Sequence, residues 1–240
     1  MRGPDSLLGM PLPMSRERIR KLGVRIASAG VVADDDLLLL EELVACHGEA
    51  LAHARPRLDG LADGLGMDGP LHITHRAKTT QTTIEKLRRE QGVSLARMQD
   101  IAGIRIVAPV ERDQQDVLVG EVVRRFPADP REPRIVDRRE RPSHGYRAVH
   151  VIVSLDGITI EVQVRTTLQH VWAEMMERLA DRLGRQIRYG LPPTPAGRIT
   201  QHAAQAVVDI MVKISDEWAN QTMAEVLAEV PDLEDMLRDL

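Results

Sequence analysis

Two alternating runs, residues 148–154 (AVHVIVS) and 158–165 (ITIEVQVR), flank the dipeptide Asp156-Gly157. Alternation is the period of a strand with one buried face. Asp-Gly between such runs is the strongest short-range signal for a tight hairpin. The chain is thereby committed to a sheet with one apolar and one polar side. Further strand text stands at residues 71–74, at 102–108 (AGIRIVA, stopped by Pro109) and at 134–137. Helical text lies between them at 79–90, 111–126 and 166–183. Strands interleaved with helices predict an α+β fold, a mixed sheet of about five strands with helices packed on it.

The flanks read as helical. Helices are expected at 15–28 and, behind Asp34–Asp36, at 34–61, with the acids placed against the N-terminal dipole. A proline-containing linker at 190–197 leads to a long helix at 198–223. Val230-Pro231 then breaks it before a short acidic helix. The expected organisation is a helical region 1–70, a core 71–189 and a helical extension 190–240. Residues 1–14 look loose and lack a signal-peptide core, and the apolar run Leu37 to Leu40 is far too short for a bilayer. One cysteine, Cys46, excludes an internal disulfide and reads as a buried filler. The expectation is a soluble, cytoplasmic protein with no membrane partner.

Composition sharpens where chemistry can lie. The net charge of −4 excludes a generic polyanion binder, so basic character must be local. Aromatic residues are scarce, with one Phe, two Trp and two Tyr. Of 32 basic residues only four are lysine (Lys21, Lys78, Lys86 and Lys213), and two of these lie eight positions apart. With Thr82, Lys78 and Lys86 follow an i, i+4, i+8 spacing, which on one helix face would bind a polyphosphate or would simply be solvated.

Other polar residues sit in strand contexts. Asp100 precedes the strand at 102–108, and Arg105 interrupts it, on its exposed side or reaching into a cleft. Glu161, Gln163 and Arg165 share one strand face, a solvated surface or a cleft floor. Asp100 and Glu161, if adjacent, would make a hard oxygen site for Mg²⁺. Between Arg134 and Arg147 five arginines face two acids, in a segment carrying Arg138, Arg139, Arg141, Tyr146 and His150. Tyr146 there is a stacking platform or ordinary packing, and a lone strand histidine is most often structural.

In order, RxKx₃TxxxK, DIAGIRI, HGYRAVH and EVQVRT resemble the successive motifs of RelA/SpoT-type nucleotide pyrophosphokinases, over about residues 71–185. The resemblance implies a nucleotidyltransferase-like core. It also implies that Arg76 and Arg105 sandwich the adenine of ATP, that Lys78, Thr82 and Lys86 hold its phosphates, and that Asp100 binds Mg²⁺. Glu161 would be a second ligand or the group that activates the attacking hydroxyl. Tyr146 would stack on the acceptor guanine, with Gln163, Arg165 and His150 beside it. Arg138, Arg139 and Arg141 would meet the acceptor phosphates.

The implied reaction is pyrophosphate transfer from ATP to the 3′-hydroxyl of GDP or GTP, giving (p)ppGpp and AMP. Two alternatives stand beside it. One is a toxin relative acting on the 3′ end of tRNA, and the other is a nucleotide-binding module without turnover. In the small synthetases C-terminal helices commonly build a homo-tetramer; residues 198–223 would do that or would merely cover the sheet. The chain departs from the family pattern at Thr82 (usually Ser), at His144 (commonly Asn or Ser) and after Trp172, where AEMMER keeps Glu174 but lacks the usual histidine.

Overall fold

A computed structural model describes residues 12–63, 65, 70–90, 92–128, 131–195 and 198–230. Five strands are found among them: β1 (His72–Ala77), β2 (Ala102–Ala108), β3 (Arg134–Asp137), β4 (Val149–Leu155) and β5 (Ile158–Thr166). They form one mixed sheet in the order β1-β2-β5-β4-β3. β2 and β5 are parallel, and the other pairs are antiparallel. The β4–β5 hairpin turns at Asp156 and Gly157, which take φ of 47° and 81°. Positive φ at both central residues is the geometry that suits Asp-Gly and matches strand twist.

Alternation divides the sheet into two unlike faces. Ile104 and Ile106 of β2, Val149, Val151 and Val153 of β4, and Ile160, Val162 and Val164 of β5 point one way and are buried. They pack with Ala50, Leu51 and Ala54 of α2 (Asp34–Ala54) and Leu118, Val119 and Val122 of α4 (Arg112–Arg125) in a single core cluster. Each fully buried aliphatic side chain there contributes about 1.5–3 kcal/mol. Cys46 and Phe126 belong to the same cluster. The helix before residue 70 is thus part of the floor under the sheet. A second cluster joins α1 (Arg16–Ser28) to α3 (Thr80–Arg89) and the segment 95–101.

The other face carries Arg76, Gly103, Arg105, His150, Glu161, Gln163 and Arg165. It is only partly covered, by α5 (Thr167–Leu183), whose far side packs on α6 (Gln201–Glu217) through Trp172, Met176, Val208 and Met211. Trp172 also donates from Nε1 to the Met211 carbonyl at 2.6 Å, pinning α5 to α6.

Three expected elements differ. The helix begun at Asp34 ends at Ala54, and Arg55–Leu58 is a 3₁₀ turn, because Pro56 has no N–H to continue the ladder. The helix expected over 198–223 stops at Glu217. A short helix, α7 (Met223–Glu229), then starts afresh at Thr222. Its cause is a capping box: Thr222 Oγ1 accepts from the Glu225 N–H at 3.2 Å, and Glu225 Oε2 accepts from the Thr222 N–H at 2.7 Å. Third, α3 begins at Thr80, because Thr79 caps it by accepting from the Thr82 N–H at 3.2 Å. Lys78 is therefore outside the helix. The acidic helix expected after Pro231, the loose reading of residues 1–11 and most of the glycine-rich text at 64–69 lie outside the described residues. No described helix is long and apolar enough to cross a membrane.

Candidate active site

The polar face of the sheet opens into two adjoining cavities. The first, about 220 Å³, is lined by Arg76, Lys78, Asp100, Arg105, Glu161 and Gln163, among others. Strand register explains part of this convergence. Arg76 stands opposite Gly103, which stands opposite Glu161, so the three positions form a row across β1, β2 and β5. Gly103 leaves that row open between Arg76 and Glu161. Thr74, Arg105, Gln163 and His150 form the next row.

Lys78 and Lys86 meet at Asp100, although one lies before α3 and the other on it. Their Nζ atoms are 3.3 and 2.7 Å from Asp100 Oδ2. Lys78 is held in place by its backbone N–H, which donates to the Ile101 carbonyl at 2.7 Å. The other carboxylate oxygen, Asp100 Oδ1, is buried with no hydrogen-bond partner among the described residues. An orphaned oxygen on a carboxylate that lines a cleft with Glu161 is a fit for a hard divalent cation. No group of three or more His, Cys, Asp or Glu side chains suited to a metal occurs among the described residues. A cation held here would complete its shell with water or ligand oxygens, the habit of Mg²⁺. Thr82 is exposed on α3, where its hydroxyl donates to the Thr79 carbonyl at 3.0 Å.

Behind the cleft the polar side chains close into a ring. Arg165 donates to the Tyr146 hydroxyl and to Gln163 Oε1, each at 3.0 Å. Gln163 donates to Glu161 Oε2 at 2.8 Å. The Tyr146 hydroxyl lies 3.0 Å from His150 Nε2, and His150 Nδ1 lies 2.9 Å from Glu161 Oε1. With Arg165 donating to it, the Tyr146 hydroxyl is free to donate to Nε2, which leaves Nδ1–H to donate to Glu161. Burial pushes the Glu161 carboxyl up, but the bond from His150, the bond from Gln163 and the charge of Lys86 outweigh it and hold it below the usual carboxylate range. Glu161 is therefore a carboxylate, aimed and held, at neutral pH.

The second cavity, about 270 Å³, is lined by Arg105, Arg138, His144, Tyr146, Glu174 and Tyr189, among others. The Arg165 guanidinium lies 5.0 Å from the Tyr146 ring centroid and holds the ring from behind. Tyr146 is delivered by a tight turn in which His144 and Gly145 have φ of 52° and 86°. A Cβ on Gly145 would stand 2.6 Å from Trp172 Cζ2. His144 occupies a left-handed position that Asn takes more readily than most residues.

The arginine-rich segment is divided by the fold. Arg138 lines the second cavity and Arg141 is exposed. Arg139 goes elsewhere. It is buried, and its guanidinium is taken up by Asp137 and Asp116 at 2.6 and 2.5 Å and by the Arg112 carbonyl. It faces a third cavity, about 630 Å³, between the starts of α4 and α5 and residues 215–224. The arginines there are all ion-paired: Arg112 to Glu140, Arg139 as above and Arg147 to Asp216.

Several residues of the second cavity, among them Glu174, Glu177, Arg188 and Tyr189, had no role in the sequence reading. Glu174 pairs with Arg105 at 3.1 Å, and Glu177 pairs with Arg188. Tyr189 lies beneath the Arg89 guanidinium at 4.5 Å, bridging to α3. Tyr189 is one of only two tyrosines in an aromatic-poor chain, a signal that was available.

Comparison with known proteins bears on this geometry. The family described as "Region found in RelA / SpoT proteins" matches residues 75–180. The chain is 36% identical over 208 residues to the uncharacterized protein Rv1366 of Mycobacterium tuberculosis, covering 86% of this chain and 74% of that one. The fold is similar to the GTP pyrophosphokinase family protein from Streptococcus pneumoniae (TM-score 0.54, 22% identity, 82% of this chain and 96% of that). It is also similar to small alarmone synthetase 1 from Bacillus subtilis (TM-score 0.51, 21% identity, 80% of this chain and 97% of that).

Proposed function

Because the chain belongs to the RelA/SpoT family, we propose that it moves pyrophosphate from ATP to the 3′-hydroxyl of GDP or GTP, releasing AMP and a (p)ppGpp-type product. The observation that carries the reading is the pair of adjoining cavities with Arg105 between them. One holds cations and two carboxylates, as a triphosphate donor requires. The other holds a tyrosine braced from behind, as a nucleobase requires.

In this reading Arg76 and Arg105 stack on the adenine. Lys78 and Lys86 leave Asp100 Oδ2 for the β- and γ-phosphates, with Thr82 at the helix start adding a hydroxyl. Asp100 and Glu161 would hold Mg²⁺, whose chemistry is to neutralise charge on the transferred group. Tyr146 and Arg138 receive the acceptor base and phosphates, with Arg141 at the rim. Glu161, held ionised by His150 and Gln163, accepts the hydrogen bond of the 3′-hydroxyl and aims its oxygen at the β-phosphorus. That oxygen bonds to the β-phosphorus as the α–β bridge breaks; its proton passes by way of Glu161 to solvent, and the bridging oxygen leaves with AMP. Such a transfer needs positioning and charge neutralisation more than covalent participation.

Arg139 has no acceptor role here, because its guanidinium is already consumed by Asp116 and Asp137. A homo-oligomer through the C-terminal helices is part of the proposal. Val207 and Ile210 of α6 are 43% and 53% exposed, apolar surface that a second copy would cover.

The test is incubation with γ-labelled ATP, Mg²⁺ and, separately, GDP, GTP or deacylated tRNA, with the Glu161→Gln chain as blank. Label on GDP or GTP is expected. Label on tRNA alone would replace the acceptor. Binding of ATP without transfer to any of the three would mean a nucleotide-binding module.

A further inference from the structure

We propose that Glu174 is a positioning residue for the donor site: it grips the Arg105 guanidinium by its edge and so presents a guanidinium face to the purine of ATP. The inference rests on the donor reading above.

Among the described residues, Arg105 is the only side chain that lines both cavities. It is 34% exposed on the side-chain scale, and its NH1 lies 3.1 Å from Glu174 Oε1. Its surroundings are otherwise hostile to a cation. Burial disfavours its charged form, and so do Arg165 and Arg76; Glu174 opposes them most, with Tyr146 adding to it. Without that carboxylate, an arginine beside two other cations gains by swinging toward water.

Guanidinium chemistry decides what the pairing does. The five N–H groups lie in the plane, whereas stacking uses the faces. A carboxylate on the edge therefore leaves the stacking surface open. It also fixes the rotamer before the ligand arrives, which spares the binding step that ordering cost.

The placement of Glu174 is itself rigid. It lies on α5 between Trp172 and Met176, both buried against α6. His170, one turn earlier, has its Nδ1 3.8 Å from the same Glu174 oxygen, too far for a hydrogen bond. The oxygen is left to Arg105.

The experiment is calorimetric binding of a non-hydrolysable ATP analogue to the full chain. It compares wild type, Glu174→Gln, Glu174→Asp, Arg105→Ala and the Arg105→Ala/Glu174→Gln double variant. Glu174→Gln is expected to weaken binding about fivefold, the scale of one lost cation–π contact. Glu174→Asp should recover part of the loss. In the Arg105→Ala background Glu174→Gln should add nothing. In turnover the defect should fall on KM for ATP and not on kcat. Unchanged analogue affinity in Glu174→Gln, or a full further loss in the double variant, would overturn the proposal. If the wild-type chain binds no analogue, the donor reading fails and takes this inference with it. If it binds the analogue but labels no acceptor, only the acceptor reading fails, and the binding comparison still decides the role of Glu174.

Discussion

At the scale of residues, the arginines of this chain look alike in sequence and behave differently in the fold. Arg105 is shared by two cavities, Arg165 braces a tyrosine, and Arg139 is a structural bolt. The last case makes a sharp prediction. Arg139 is 8% exposed and satisfies Asp137 and Asp116. Burial pushes the Asp137 carboxyl up, but the Arg139 hydrogen bonds prevail and hold it below the usual carboxylate range. Truncation strands that partly buried carboxylate. Arg139→Ala is expected to destabilise the chain by about 2 kcal/mol in urea unfolding, with ATP-analogue affinity unchanged. A raised KM for the acceptor at full stability would return Arg139 to the acceptor side. Nothing in the local sequence separates Arg138 from Arg139, because neighbouring positions in a strand-flanking segment point to opposite sides and only the sheet decides which side is which.

At the scale of elements, most boundaries follow from local rules, and the exceptions have local causes. The strand at 102–108, the strand at 134–137 and the Asp-Gly hairpin were legible because alternation and turn chemistry agree. The helix expected across 198–223 failed because a capping box at Thr222 outcompeted continuous helical text. Lys78 fell off the helix face because Thr79 is a better cap than a helical residue, yet it still reaches Asp100 from the loop. The turn that delivers Tyr146 is the most demanding element. Gly145 combines a φ of 86° with a Cβ position 2.6 Å from the Trp172 ring. Gly145→Ala is expected to cost at least about 2 kcal/mol, from left-handed strain plus the clash. The same change should raise the acceptor KM more than the ATP KM, since Ser143, His144 and Tyr146 of this turn line the second cavity and none of its residues lines the first. Denaturant unfolding and separate KM measurements check both halves.

At the scale of the whole molecule, charge is separated in space. The formal net charge is −4, yet the two cavities are lined by Arg76, Lys78, Arg105, Arg138, Arg165 and Arg188 against Asp100, Glu161, Glu174 and Glu177, a local excess of cations. Field at the cleft, not net charge, governs the capture of an anion. Raising KCl from about 50 to about 500 mM is therefore expected to raise KM for ATP severalfold, despite the acidic chain as a whole. A KM independent of salt would mean the cavity cations are internally neutralised.

By itself the sequence determined that there is a sheet with one apolar and one polar face, because a period of two leaves no other arrangement that buries the valines and isoleucines. It also determined the chemistry present on the polar face, because strand neighbours Glu161, Gln163 and Arg165 must share it. Only the tertiary structure decided that β2 lies beside β5, which brings Gly103 opposite Glu161 and Arg105 opposite Gln163. It alone decided that two lysines converge on one carboxylate oxygen, that His150 closes a ring with Glu161, and that Glu174 of a later helix holds Arg105. Those are contacts between residues far apart in the chain, set by packing and register, and no local pattern encodes which distant partner a side chain will meet.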